Sequence, residues 1–255
     1  MADQRDLKYF YSGLSGLNLH IPKYKFPPQH KDSSRLAYYS TIFNSIEFNS
    51  TFYKIPMGTT VARWSDTVDE NFRFTFKLWK QITHVKNLYF KRSDVELFLN
   101  SVNNAGDKKG CLLIQFPPGF NIENSDNLNE LLLCIKDFDR DNTWKIAVEF
   151  RNTSWYKKET YRLLDNFKAA IVIHDFRAAA TPLIESKADF VYLRFHGPDS
   201  NYRGSYPENI LSEYAERISE LFSKGKIVFV YFNNTMGDAF NNLISLNRLV
   251  RLNKK

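Results

Sequence analysis

The sequence predicts an α/β fold, a single (β/α)8 TIM-type barrel of parallel strands occupying residues 1–255, on three observations. Eight short segments rich in β-branched and aromatic residues recur at roughly 30-residue intervals, the span of one βα unit. Helical apolar patterns fill most of the gaps between them. No composition break, Gly/Ser linker or low-complexity tract divides the chain. A length of 255 residues suits one such barrel. An open doubly wound sheet is the competitor, but no Gly-rich phosphate fingerprint follows the first strand.

In chain order the strand segments are Tyr9–Ser12, Ser45–Tyr53, Phe72–Trp79, Cys111–Phe116, Lys145–Arg151, Ala169–Asp175, Phe190–His196 and Lys226–Asn233. Among the helices, Ser93 and Glu96 read as a capping box ahead of an apolar face of Val95, Phe98, Leu99 and Val102. Leu128, Leu131, Leu132 and Ile135 form a second stripe. Leu211, Tyr214, Ala215, Ile218 and Phe222 form a third, stopped by Gly225. Phe240, Leu243 and Val250 belong to a last helix. The gap from Phe176 to Asp189 is the shortest and its helix the least marked.

Composition bounds the function. Hydrophobic residues make up 43% and charged residues 25%, the profile of a globular chain with a substantial core. No apolar run is long enough to span a bilayer, so no membrane partner is expected. The segment from Met1 to Lys8 is polar and lacks a signal-peptide layout, which sets a cytoplasmic expectation. Cys111 and Cys134 lie in separate apolar stretches and read as buried, reduced thiols, with no zinc or redox spacing. The net charge of +7 and pI of about 9.2 fit an anionic ligand or nucleic acid, and equally a merely basic surface. The densest basic stretches, Lys77 to Arg92 and Arg248 to Lys255, match no nucleic-acid motif.

Alternation along the strands sorts polar from apolar. Side chains next to each other in a strand point to opposite faces. In Lys145–Arg151, Ile146, Val148 and Phe150 suit the face beneath helices, leaving Ala147, Glu149 and Arg151 facing the barrel interior. The same reading turns Tyr192, Arg194 and His196 inward, with Glu47, Asn49 and Thr51, Lys77, Gln115, Asp175, Tyr231 and Asn233. Most of these lie late in their strands, where barrel enzymes place active sites. Each alone has a plain structural reading. Glu149 and Arg151, or Glu47 and Lys77, could be buried pairs serving only the fold, and His196 a satisfied core histidine. Burying so many charges together is costly unless a ligand or reaction uses them.

Several of these stretches occur as ordered motifs. They are Ser45-Ile-Glu-Phe-Asn-Ser-Thr-Phe-Tyr53 with the following Val61-Ala-Arg-Trp64, Phe72-Arg-Phe-Thr-Phe-Lys77, Gln115-Phe-Pro-Pro118 and Glu149-Phe-Arg-Asn-Thr-Ser-Trp155. After them come Arg194-Phe-His-Gly197 with Tyr202-x-Gly204-x-Tyr206, and Tyr231-Phe-Asn-Asn234 with Gly237 and Ala239. Together, over roughly residues 9 to 249, the sequence resembles the YecE-like family, a domain of unknown function. The resemblance implies a β/α barrel and supplies no reaction. Its motif positions carry over onto Glu47, Asn49, Tyr53, Lys77, Gln115, Glu149, Arg151, Trp155, Arg194, His196, Gly197, Tyr202, Tyr231 and Asn233. The family commonly has an aromatic, Trp-containing turn after the first strand. This chain departs from it with Ser15-Gly-Leu-Asn-Leu-His20.

The chemistry expected of this set is that of an enzyme of hydrolase or lyase type acting on a small phosphorylated or otherwise anionic substrate. The seventh loop offers Arg194, His196, Gly197, Tyr202, Arg203 and Gly204. The eighth offers Asn233, Asn234 and Gly237 ahead of a helix amino terminus, a setting for an anion. Glu47, Glu149 or Asp175 is then a candidate general base. His196 or Lys77 is a candidate acid or electrophile, and Lys77 also a candidate Schiff-base lysine. Asn49, Tyr53, Gln115, Arg151 and Tyr231 complete the expected binding set. No redox cofactor is expected. A divalent metal on Glu47, Glu149, Asp175 and His196 is disfavoured by the neighbouring Arg151 and Arg194. A glycosidase with Glu47 and Glu149 as its carboxylates is a further alternative, with Trp155 as its candidate stacking surface. The alternative from another class is a nucleic-acid-binding or nucleic-acid-processing protein using the same basic face.

Overall fold

The computed structural model of the chain describes residues 9–182 and 186–253. Its nine strands are β1 Phe10–Leu14, β2 Ser45–Phe48, β3 Arg73–Lys77, β4 Lys109–Gln115, β5 Lys145–Glu149, β6 Ala170–Ile171, β7 Ile173–His174, β8 Phe190–Phe195 and β9 Ile227–Phe232. Its helices are α1 Arg35–Ser40, α2 Gly58–Thr67, α3 Lys80–Thr83, α4 Arg92–Val102, α5 Ser125–Phe138, α6 Lys158–Asn166, α7 Glu208–Ser223 and α8 Ala239–Leu252. The fold is α/β, with every recorded strand pair parallel in two sheets: β1-β9-β8-β7 and β2-β3-β4-β5-β6. No continuous ladder among the described residues closes these sheets into one ring.

The two seams between the sheets differ. At the first, β6 and β7 are consecutive pieces of the sixth expected strand. Ile171 pairs with Val148 of β5, and two residues later Ile173 pairs with Leu193 of β8, so Val172 is the changeover. At the second, β1 and β2 share one bridge, Ser15 with Glu47. Side chains take over the ladder there. The Tyr39 hydroxyl accepts from the Leu14 amide at 2.8 Å and donates to the Ser45 carbonyl at 2.9 Å. Asn44 accepts from the Ser12 amide at 2.9 Å and donates to the Phe10 carbonyl at 2.7 Å. Backbone groups buried at a sheet margin need such partners. Gly13 permits the approach, since a Cβ there would stand 2.0 Å from the Ser45 carbonyl oxygen.

Two apolar clusters follow the alternation. Phe74, Phe76, Leu112, Ile114, Val148, Leu193, Phe195, Val228 and Val230 pack with buried residues of the helices. Cys111, Leu113, Ala147, Ala170 and Val172 meet Phe190, Tyr192, Phe229 and Tyr231 in a second core contributed by both sheets. The stripes on α4, α5, α7 and α8 are largely buried, and Gly225 closes α7 with φ of +72°.

Several expected boundaries move. The second strand stops at Phe48, because Asn49–Phe52 turns into a 3-10 helix, and Thr51 donates to the carbonyls of Phe48 and Lys77. Thr51 therefore ties β2 to β3 instead of lining an interior. The capping box is not formed. Helix α4 starts at Arg92 with no side-chain cap, which leaves Ser93 inside its first turn. After β7 a short 3-10 turn, Arg177–Ala179, stands where the least marked helix was expected, and 183–185 lie outside the described residues. The polar amino-terminal segment and the last two residues of the basic tail also lie outside them. Among the described residues no helix is long and apolar enough to cross a membrane.

Candidate functional site

The charged residues of alternate parity gather at the carboxyl ends of both sheets. Glu47 is next to last in β2 and Arg194 next to last in β8. Lys77, Gln115 and Glu149 end β3, β4 and β5, and His196 and Asn233 follow β8 and β9. Parallel strands in register thus deliver side chains from seven segments to one level, with Gln115 opposite Glu149 and His174 opposite Arg194.

Arg194 is the hub. Its Nε donates to both Glu47 oxygens, at 3.1 and 3.0 Å, and its Nη2 to Glu47 Oε1 at 2.8 Å and Asn49 Oδ1 at 3.3 Å. Its Nη1 reaches Glu149 Oε2 at 3.1 Å and His196 Nε2 at 2.9 Å. Glu47 also accepts from Ser15 Oγ at 2.6 Å and from the Tyr192 hydroxyl. Arg151 Nη2 pairs with Glu149 Oε1 at 2.5 Å and donates to His196 Nε2 at 2.8 Å. Its guanidinium lies 4.2 Å from the Phe176 ring centroid. Glu47, Glu149, Arg194 and His196 are all buried.

Protonation follows from these contacts. Burial pushes both carboxyls up, and the guanidinium charges outweigh it. Arg194 holds Glu47 below its ordinary value, and Arg151 with Arg194 holds Glu149 well below. Neither is then a proton donor near neutral pH, as a glycosidase acid must be. Burial lowers Arg194, but Glu47 and Glu149 raise it further, so it stays charged. His196 Nε2 receives two guanidinium donors and needs its lone pair for them, which places the ring proton on Nδ1. Burial lowers this histidine to about 4, with Glu149 opposing. Its Nδ1 has no hydrogen-bond partner of good geometry, and Asp175 Oδ1 lies 3.4 Å away.

Lys77 stands apart from this network. It is half-buried, donates to Gln115 Oε1 at 2.7 Å and lies 4.2 Å from the Phe52 ring centroid. Burial, then repulsion from Arg194, lowers it to about 8. Asn49 Nδ2 donates to Asn233 Oδ1 at 3.4 Å, and the exposed Tyr53 packs edge-on against Phe52. Tyr231 lies deeper, its hydroxyl bonded to Ser45 and Thr75 at 2.6 and 2.8 Å in the second core.

The loops after β8 and β9 are locked together. Asp175 accepts from the His196 amide at 2.8 Å and from the Tyr206 hydroxyl, which itself accepts from the Gly197 amide at 2.6 Å. Gly197 has φ of +95°, and a Cβ there would meet the Arg203 carbonyl oxygen at 2.2 Å. Tyr202 donates its amide to the His196 carbonyl at 2.8 Å, and its ring stands edge-on to His196 with centroids 5.8 Å apart. Arg203 is exposed. The Gly204 carbonyl accepts from the Asp238 amide and from Asn234 Nδ2, both at 3.0 Å. The amino end of α8 is therefore tied to its neighbour's backbone, with an aspartate at its cap. Trp155 is buried, stacked on Phe150 and Phe120, and donates to the Phe120 carbonyl, so it presents no stacking surface.

The acidic set Glu47, Glu149, Asp175 and His196 is threaded by two guanidinium groups. Among the described residues no three His, Cys, Asp or Glu side chains assemble as a metal-ligand group. Cys111 and Cys134 are free thiols, and burial raises both.

Residues 11–255 match the family model described as protein of unknown function DUF72. The chain belongs to the DUF72 family. Two curated relatives are the UPF0759 protein YunF of Bacillus subtilis, 28% identical over 91% of each chain, and the UPF0759 protein YecE of Escherichia coli K12. The latter is 32% identical over 33% of this chain and 31% of that one. Solved DUF72 structures share the fold. One from Enterococcus faecalis V583 superposes with a TM-score of 0.79 at 23% identity, covering 95% of both chains. One from Thermotoga maritima MSB8 gives 0.75 at 24%, covering 96% of this chain and 99% of that one.

In this DUF72 chain the structure brings further residues to the site. Ser15 emerges from the departing first loop, where nothing in the sequence singles it out. Phe52 and Phe176 lie against Lys77 and Arg151 from turns rather than strands. Tyr192 had the inward parity, and Tyr206 closed the tyrosine motif after Gly197, so both carried a signal. The alternation that turns Asp175 inward is reversed in the sixth strand: Val172 lies in the second core, and His174, in register with Arg194, bonds the Phe150 carbonyl at 2.9 Å with its ring centroid 5.6 Å from that of His196.

Proposed function

We propose that this DUF72 chain is one domain, residues 1–255, whose two sheets close into a single (β/α)8 barrel. We also propose that its carboxyl-end mouth binds a small anionic or phosphorylated ligand and transforms it by hydrolase- or lyase-type chemistry. Three features support closure: one interior core drawn from both sheets, the handover at Val172, and the side-chain seam between β1 and β2. In the proposed site Arg194 and Arg151 with Glu47 and Glu149 form a rigid, internally neutralised floor. Binding falls to the groups above it.

The observation that carries the reading is Lys77, a half-buried ammonium whose recorded hydrogen-bond acceptor is the neutral amide of Gln115. The nearest carboxylates are already occupied by Arg194 and Arg151. An ammonium so placed offers its charge to a ligand from the mouth. Its lowered value of about 8 lets it also exchange a proton near neutral pH. In this reading Gln115, beside Lys77, and Asn49, Tyr53, Arg151, Tyr202 and Asn233 are the binding groups. Arg203 contributes at the outer rim, and Asp175 and His196 hold the β8 loop over it.

Thermal shift tests the proposal with inorganic phosphate, a phosphorylated sugar and a dicarboxylate. The protein is expected to gain several degrees with at least one of them, and Lys77→Gln to lose that gain while keeping its own melting temperature. Absence of any anion-dependent shift overturns the reading. Oligonucleotide binding that collapses with salt would favour the nucleic-acid alternative.

A further inference from the structure

We propose that Lys77 is an amine nucleophile, and that the ligand of the mouth is a carbonyl compound carrying an acidic group, such as a 2-oxo acid or a phosphorylated aldehyde. This deepens the reading above and rests on its anion site. Three other half-buried lysines are tied to strong oxygen acceptors, while Lys109, at the amino end of β4, meets only the Thr143 hydroxyl at 3.1 Å with the Trp144 ring centroid 5.8 Å away. Lys145 pairs with Asp189, Lys108 donates to the Ser65 and Val68 carbonyls, and Lys226 donates to those of Ser186 and Ala188. Lys77 instead holds one amide oxygen and one aromatic face. A ring against the ammonium excludes water, and a single neutral acceptor leaves directions on nitrogen open to a carbonyl carbon.

The groups whose charges bear on Lys77 are Arg194 and Arg151, which oppose its charge, and Glu149 and Glu47, which favour it. His84, packed edge-on against Phe52, also feels the lysine. Because Arg194 and Arg151 bind both carboxylates, the balance falls below the ordinary lysine range, to about 8.

In the step itself the Nζ lone pair forms a bond to the carbonyl carbon, and the C=O π electrons move to oxygen, which takes a proton. The resulting carbinolamine expels that oxygen as water with the two protons lost by nitrogen, leaving a C=N bond. No oxidant or reductant is required.

The test uses the intact protein with borohydride, which reduces the imine to a stable secondary amine, followed by peptide mapping. Glyoxylate and glyceraldehyde 3-phosphate are the probes, and acetaldehyde is the uncharged control. Lys77 is expected to be marked roughly tenfold or more faster than the other lysines at pH 8, with the charged aldehydes preferred. The better of the two charged probes identifies carboxylate or phosphate as the acidic group. Lys77→Arg should lose the mark while keeping the protein's own melting temperature. Equal marking by acetaldehyde leaves the nucleophile standing and removes the anion site. Marking spread over surface lysines, with the anion shift intact, overturns the nucleophile and leaves the anion site standing.

Discussion

Arg194 is held by Glu47, whose other bonds come from neutral hydroxyls, and by Glu149, which it shares with Arg151, so its removal should be felt first in stability. Arg194→Ala strands buried charges and should cost about 3–5 kcal/mol by urea denaturation, whereas Arg203→Ala, at an exposed position, should change little. Acid should act through the same cluster. His196, lowered to about 4, is buried neutral, so its stabilisation is complete above the ordinary histidine value of about 6.5 and is lost as pH falls toward 4. Glu47 and Glu149 are depressed from 4.5, so their contribution is lost at still lower pH. His84 and His174 are lowered too, and His196→Gln should therefore flatten only part of the slope between pH 6.5 and 4. An unchanged slope would contradict the neutral imidazole. The inward placement of Glu47, Glu149 and Arg194 was legible because alternation survives errors in strand ends. Which carboxylate meets which guanidinium was not, since that depends on three-dimensional reach across the interior.

At the scale of elements, the β1–β2 seam is the weak join. Tyr39→Phe leaves the Leu14 amide and the Ser45 carbonyl without their shared partner and should cost about 1–3 kcal/mol by denaturation. Hydrogen exchange at Leu14 should rise with it. In the β8 loop, Gly197→Ala forces a Cβ onto the Arg203 carbonyl at a positive φ. The variant should destabilise by more than about 1 kcal/mol and loosen the Tyr206–Asp175 contact, read by amide exchange in 196–206. The place of each strand segment along the chain was legible from spacing, since each βα unit repeats, but eight expected strands are nine, in two parallel sheets. The early end of β2 was not, because Asn49–Phe52 retains strand-like residues while Thr51 reaches back to two carbonyls. Nor was the split at Val172, where a continuous apolar run serves two neighbours in turn.

Over the whole molecule, charge is a background and not a site. The net charge of the chain is +7. Near the amino ends, a cavity of about 520 Å³ is lined by Lys136, Lys145, Lys168 and Lys187 together with Asp139, Asp141 and Asp189. It offers anions an alternative seat, with carboxylates interleaved. Crystals soaked in tungstate, a phosphate mimic with an anomalous signal, separate the two ends directly. The expected peak lies within hydrogen-bond reach of Lys77 Nζ and disappears in Lys77→Gln. Tungstate found only among the lysines at the amino ends, or equally strong in the variant, would contradict a ligand site at the Lys77 mouth.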